Sequence, residues 1–361
     1  VNGAGTPRLT PGARREPRQV TRFEAISHPT YFLQSSFYPE GGMFFISYES
    51  GSAQLWETDP DGFRQMTFGP GIHPYSPALS PQGNELIFTR AGSLFAINRY
   101  TLAERLIADF AGASVGEPSI SADGEWLTAA MKRDGQNGLA VARMDGSSGE
   151  FIAYPRTVIH PQFHPLEPEW IEFAGDPAPR MHRIRRDGTG LECLYEHGND
   201  EFVVHETFLG DTGDMVFTVW PDKLCRMDWT TRQITTISDF NAWHIAPSAD
   251  GSRVLCDTNH PDQGIHIIEV ATGEREFICD SGATNGGSQW KTSRYALAED
   301  FAAARSAAKT GGTLSWMEAA TDTVYGPQWT HPHPSWSQDE TRIAFGSDRT
   351  GITQVYVYDL A

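Results

Sequence analysis

Ser80-Pro81-Gln82-Gly83-Asn84-Glu85-Leu86-Ile87-Phe88-Thr89 is the stretch whose reading decides the fold. A polar turn closed by Pro and Gly runs directly into an apolar, β-branched and aromatic segment, which is the signature of a tight turn feeding a strand. Two more short apolar runs follow, Ser93-Leu94-Phe95-Ala96-Ile97 and Arg105-Leu106-Ile107-Ala108. The same order returns after Gly251, as Arg253-Val254-Leu255-Cys256, Gly264-Ile265-His266-Ile267-Ile268 and Arg275-Glu276-Phe277-Ile278. The turn itself recurs along the chain, ending at Gly41, Gly83, Gly124, Glu167 (a degraded copy), Gly213, Gly251 and Glu340. The steps between these residues are 42, 41, 43, 46, 38 and 89. A step near 42 is the length of one four-stranded propeller blade.

The 89-residue step has room for two blades, but residues 281–312 read as an insertion: a Gly/Ser/Asn loop from Ser281 to Ser288, then an Ala-rich stretch from Tyr295 to Ala308 with the composition of a short helix. That keeps the number of blades at seven. The last unit ends at Gln354-Val355-Tyr356-Val357-Tyr358-Asp359, a third strand with no fourth. Arg18-Gln19-Val20-Thr21-Arg22-Phe23 nearly repeats the outer strand of the first unit, Arg64-Gln65-Met66-Thr67-Phe68. Residues 18–23 are therefore expected to supply the missing outer strand and hide both sheet edges. The expectation is an all-β chain: a seven-bladed β-propeller of four-stranded blades, closed by an N-terminal strand, with one long, partly helical insertion. Residues 1–17 form an extension and 18–361 one domain.

Hydrophobic residues make up 39% of the 361 residues and charged residues 20%, enough apolar matter for a large core. The net charge of −18 repels polyanions and argues against a nucleic-acid or anionic-membrane partner. No apolar run approaches membrane-spanning length, and Val1–Gln19 lacks the charged and apolar regions of a signal peptide. A cytoplasmic location is expected, or a periplasmic or secreted one if a presequence has been removed. Cys193, Cys225, Cys256 and Cys279 show no metal spacing and read as buried free thiols.

Seven of the twelve histidines (His28, His73, His160, His205, His244, His331 and His333) stand about 7–13 residues before their unit's turn. That segment leads into the innermost strand of a blade, so these imidazoles converge on one mouth of the central channel. A single His-Pro there also serves as a hydrogen-bonding element, as His28-Pro29, His73-Pro74, His160-Pro161 and His331-Pro332 would. A ring of them points to metal binding or proton transfer. The sharpest local motif is Gln328-Trp329-Thr330-His331-Pro332-His333. In extended chain, i and i+2 share a side, so His331 and His333 can face one ion with the Gln328 amide oxygen nearby. Imidazole, amide oxygen and water suit Mn²⁺, Fe²⁺ or Zn²⁺.

From Val20 to Asp359 the sequence resembles the oligogalacturonate lyases and, more distantly, TolB-like propellers. The resemblance rests on His28-Pro29-Thr30-Tyr31-Phe32-Leu33-Gln34, His160-Pro161, Arg180, His205-Glu206-Thr207-Phe208, His244 and Gln328-x-x-His331-x-His333. It implies β-elimination of a uronate-containing oligosaccharide to an unsaturated uronate. It further implies His244 as catalytic base and Gln328, His331 and His333 on a divalent metal, most plainly Mn²⁺. Two departures stand out. The family's fourth ligand, a histidine in the preceding blade, has no counterpart in Ile278–Trp290, where Asp280, Asn285 and Gln289 are the substitutes on offer. The family's substrate arginine, about 23 residues before the base, is replaced by Lys223, 21 before His244, with Arg226 next.

The chemistry supports such roles. Removing the C5 proton of a 4-linked uronate builds charge on its carboxylate, which needs a cation, and neutral imidazole is a fitting base. Lys223 and Arg180 are the candidates for holding carboxylates. His205 is a second catalytic candidate, and His28, Tyr31, His160 and Tyr295 are candidate substrate-side groups. In an alternative arrangement His160 or His205 is the base and Tyr295 the acid. Competing readings are a lyase for glucuronate- or rhamnose-containing chains and a non-catalytic binding propeller. A glycosidase carboxylate pair, a Gly-x-Ser-x-Gly hydrolase elbow and a phosphate-binding glycine loop are not found in the required context. The acidic body favours a short oligosaccharide over a polymer.

Overall fold

The computed structural model describes residues 15–259, 261–286 and 327–360. They form seven antiparallel sheets of four strands each, and the strands follow one another in chain order within blades 1–6. The inner strands are Ser27–His28, Ala78–Leu79, Ser114–Ile120, Ile159–Phe163, Phe202–Phe208, Ile245–Pro247 and Ser335–Trp336 for blades 1 to 7. This is the all-β seven-bladed propeller that the repeat predicts. Blade 7 takes its outer strand from the other end of the chain, with Arg18 opposite Val357 and Gln19 opposite Tyr356. The paired strand is shorter than the expected 18–23. After the Val20 N–H bonds the Val355 carbonyl at 2.8 Å, the Thr21 hydroxyl accepts the Val355 N–H at 2.9 Å and ends the ladder.

The repeated turn works by local hydrogen bonding. In blade 6 the Gly251 N–H bonds the Ser248 carbonyl at 2.9 Å, and the Ser248 hydroxyl bonds Asp250 Oδ1 at 2.8 Å. Gly251 has φ +70°, and a Cβ there would lie 2.7 Å from the Leu209 carbonyl oxygen, so glycine is required sterically. Glu340 occupies the same position in blade 7 with φ 54°. Its carboxylate is tied to blade 6 by the Ala249 N–H and Arg253, which offsets the strain.

Apolar clusters fill the gap between each blade and the next. Ile87, Leu94, Met131 and Ala140 join blades 2 and 3, for example, and Phe37, Met43, Phe45, Val355 and Val357 join blade 1 to blade 7. The ring is thus closed by packing as well as by hydrogen bonds. Cys225, Cys256 and Cys279 are buried free thiols, as expected, whereas Cys193 is half-buried. Residues 281–286 carry no regular structure. The rest of the expected insertion, with its helix and Tyr295, lies outside the described residues.

The inner strands of blades 1, 3, 4 and 5 are broken at the channel, as is that of blade 2 between the Ile72–Arg90 bridge and the Ala78–Ile87 pair. In blade 1, Pro29–Gln34 leave the sheet, and pairing resumes only at the Phe37–Met43 bridge. The excursion is pinned by the Thr30 N–H to Ser36 Oγ, by Thr30 Oγ1 to the Gln34 carbonyl and by the Gln34 N–H to the Tyr31 carbonyl. In blades 3, 4 and 5 the register shifts between Val115 and Pro118, Ile159 and Gln162, and Val204 and Thr207. Such bulges re-aim side chains. Here they carry Glu117, His160 and His205 respectively.

Candidate active site

His244 immediately precedes the inner strand of blade 6, and His331 and His333 precede that of blade 7. Their candidate ligand nitrogens all lie within 4.8 Å of one another. The His244 and His333 ring centroids are 3.9 Å apart, and His331 stands 5.5 Å from His244. The expected convergence of His331 and His333 is therefore present, with near-parallel rings 5.9 Å apart. The Gln328 group placed at this cluster is its main-chain carbonyl, 3.2 Å from His333 Nε2.

Asp257 organises the triangle. It follows the second strand of blade 6, where the pairing of Ile245 with Cys256 brings it opposite His244. One carboxylate oxygen accepts the His244 N–H at 2.8 Å. The other lies 2.7 Å from His244 Nδ1 and accepts the His333 N–H at 3.3 Å. With Nδ1–H donated to a carboxylate, His244 Nε2 keeps its lone pair for a metal or a proton, the usual arrangement behind a metal-site or catalytic histidine. Burial pushes the Asp257 carboxyl up to about 7.

Blades 4 and 5 add His160 and His205. The His205 ring is 4.8 Å from His244 and 6.2 Å from His160. Tyr31 Oη lies 2.8 Å from His160 Nε2. Phe32 forms the apolar floor, with its ring 5.0–6.4 Å from those of His160, His205, His244 and His333. Burial, followed by the mutual proximity of the rings, holds His205, His244 and His333 well below the ordinary imidazole range. These imidazoles are neutral near pH 7 and have lone pairs available. Buried Nδ1 atoms of His205 and His333 have no hydrogen-bond partner among the described residues. A crowd of neutral imidazoles that resists protons, backed by a buried carboxylate, fits a divalent cation. His160, His205 and His333 all adopt left-handed backbone, φ 53°, 56° and 46°. Strain of this kind costs about 1–3 kcal/mol per residue and concentrates at functional sites.

The remaining candidates are placed differently. His28 stacks on Tyr75 at 4.9 Å and directs Nδ1 at the Pro29 carbonyl, 2.8 Å away, so it lines the edge of the cluster. Arg180 is buried and ion-paired to Asp176 and, at 3.2 Å, to Glu206. Lys223 opens the third strand of blade 5, half-exposed, with Glu201 3.9 Å away. Tyr295 lies outside the described residues. Sequence reasoning missed Asp257 and the role of Phe32. The signal for Asp257 was a lone acidic residue ending the apolar run Val254-Leu255-Cys256, but only strand register shows that it faces His244.

No protein-family model matches the chain. The oligogalacturonide lyase of Pectobacterium atrosepticum is 21% identical, with 94% of this chain and 92% of that protein aligned. The oligogalacturonate lyase of Dickeya dadantii is 22% identical over 99% of this chain and 93% of its own length. Among solved structures, an oligogalacturonate lyase in complex with manganese superposes with a TM-score of 0.77 at 18% identity, covering 95% of this chain and 92% of that one. The oligogalacturonate lyase of Vibrio parahaemolyticus superposes with a TM-score of 0.75 at 17% identity, covering 95% and 93%. The structural likenesses show the fold, and the resemblance to oligogalacturonate lyases spans nearly the whole chain.

Proposed function

We propose that this chain is a metal-dependent lyase that cleaves a short uronate oligosaccharide of the oligogalacturonate kind by β-elimination, leaving an unsaturated uronate. The observation that carries the reading is the triangle of His244, His331 and His333, backed by the buried Asp257 carboxylate. The oligogalacturonate lyases that the chain resembles along its length add support.

His331, His333 and Gln328 are the residues that would hold the ion, with Mn²⁺ the first candidate. When bound, such an ion neutralises charge gathering on the uronate carboxylate. His244 Nε2 takes the C5 proton. Asp257 holds the ring in the tautomer that leaves Nε2 unprotonated, and stabilises the imidazolium that forms. The C5–H electron pair becomes the C4=C5 bond as the C4–O4 bond breaks. His205, 4.8 Å from His244, keeps the base side of the site dry and supplies a second imidazole. Lys223, a half-exposed cation on blade 5, is the candidate for a further carboxylate of the substrate. Arg180, already held by two acids, acts on substrate through the shape of the blade 4 wall.

The test pairs metal content with activity. His331→Ala is expected to lose both the metal and the ultraviolet-absorbing unsaturated product. His244→Ala is expected to keep the metal and lose the product. Equal loss of metal in both variants would undo the separation of roles. A wild-type chain that forms no unsaturated product from galacturonate, glucuronan or gum oligosaccharides, with Mn²⁺ supplied, would sink the lyase reading.

A further inference from the structure

An elimination from a uronate has to expel an alkoxide, a poor leaving group at neutral pH, so the departing O4 needs a proton donor as well as a base at C5. The base and the metal residues of the proposed lyase belong to blades 6 and 7. Next to them, the wall formed by the Pro29–Gln34 excursion of blade 1 and the bulge of blade 4 brings Tyr31 Oη to 2.8 Å from His160 Nε2. The Tyr31 ring is 6.5 Å from that of His244 and 5.0 Å from that of His333. The C5 hydrogen and O4 sit on neighbouring carbons, on opposite faces of a galacturonate ring, so acid and base must both reach one C4–C5 bond from either side of it, and rings 6.5 Å apart meet that demand.

Tyr31 and His160 are not equivalent within the pair. Tyr31 is half-buried, whereas His160 is buried behind it. Burial, with Arg180 nearby, holds the His160 imidazole down to about 3, so the ring is neutral and is not itself the acid. His160 occupies left-handed backbone at a register break, and its Nδ1 has no hydrogen-bond partner among the described residues. A strained, buried imidazole whose Nε2 meets a phenol hydroxyl is placed to hold that phenol. The opposing apolar surface is Phe32, 4.7 Å from Tyr31 and 5.6 Å from His160, which limits water at the pair.

Resting on the lyase reading, we infer that Tyr31 is the general acid of the elimination and that His160 is the positioning residue that holds its hydroxyl. The C5 proton leaves to the base, and its electron pair forms the C4=C5 bond. The C4–O4 pair departs on O4, which takes the Tyr31 proton. The phenolate recovers a proton from water before the next turnover, so atoms and charge balance over the cycle.

The experiment compares two substrates. One is an oligogalacturonide, and the other is the same uronate carrying a dinitrophenyl ether at O4, whose phenolate leaves without protonation. Tyr31→Phe is expected to lower kcat on the oligogalacturonide by about 10²–10⁴-fold with little change in KM, while turnover of the dinitrophenyl ether and the bound Mn²⁺ stay at wild-type levels. His160→Ala should show the same split, and His160→Gln, whose amide can still bond the phenol, should recover part of the loss. Activity on the dinitrophenyl ether also reports that each variant is folded. An unchanged oligogalacturonide rate in Tyr31→Phe, an equal loss on both substrates, or loss of metal would each overturn the assignment. A wild-type chain inactive on both substrates would remove the lyase reading itself.

Discussion

Replacing Asp257 by Asn tests the organisation of the site with the smallest change in shape. The carboxylate serves three N–H groups, at 2.8 Å (His244 N), 2.7 Å (His244 Nδ1) and 3.3 Å (His333 N), from a fully buried position. An asparagine has one acceptor oxygen where the carboxylate has two. If its oxygen stays on the His244 N–H, its NH₂ faces the His333 N–H, and it also drives His244 into the tautomer with a proton on Nε2. If the amide turns over, its NH₂ faces the His244 N–H instead. Either way one buried N–H loses its partner, at about 1–3 kcal/mol of stability. In the first arrangement His244 can neither accept a proton nor face a cation. The same carboxylate also holds the main chain of His333, a proposed metal residue, and loss of such a support costs about 10–100-fold in metal affinity or activity, or about 1.4–2.7 kcal/mol. Calorimetric titration with Mn²⁺, denaturant unfolding and the rate of unsaturated product formation would read the three effects. Asp257→Asn that binds Mn²⁺ and eliminates at wild-type levels would refute the organising role of this carboxylate.

Two further outcomes are expected. Arg180→Ala should act on stability before it acts on KM, because it strands Glu206 beside Glu172, both fully buried, and breaking such a pair costs about 3–5 kcal/mol; a normal unfolding midpoint with a raised KM would return Arg180 to direct substrate binding. Burial raises Glu117 to about 7, so the folded state binds more protons than the unfolded chain between about pH 4.5 and 7, and this group's contribution to stability falls as pH rises through that window. His28 and His73, lowered to about 4 by burial, slope the other way between about pH 4 and 6.5, where the unfolded chain binds more protons and stability falls as pH drops. Glu117→Gln should therefore stabilise the protein at pH 8 by up to about 3 kcal/mol and do nothing at pH 4, as measured by denaturant unfolding at both values. Equal effects at the two pH values would show that the carboxyl is not held neutral.

The repeat of about 42 residues was legible because each blade meets the same demands: a tight turn, then strands that alternate between two neighbouring blades. The ring closure was legible because Arg18-Gln19-Val20-Thr21-Arg22-Phe23 repeats the pattern of an outer strand, and the Arg18–Val357 pairing is the result. His331 and His333 could be read as a pair because i and i+2 share a side in extended chain. The rest of the site depends on contacts that no local pattern records. Tyr31 and His160 are 129 residues apart in the chain and 2.8 Å apart in space. Asp257 reaches His244 only because strand register sets Cys256 against Ile245. Arg180, an open cation by sequence, is paired because folding brings two acids around it. Sequence by itself determined the number of blades, their closure and the mouth where the histidines gather, since periodicity is a local property. Which imidazole is backed by a carboxylate, which phenol touches a histidine and which cation is already paired were decided by the tertiary structure, since these follow from the breaks in the inner strands and the packing of one blade against the next.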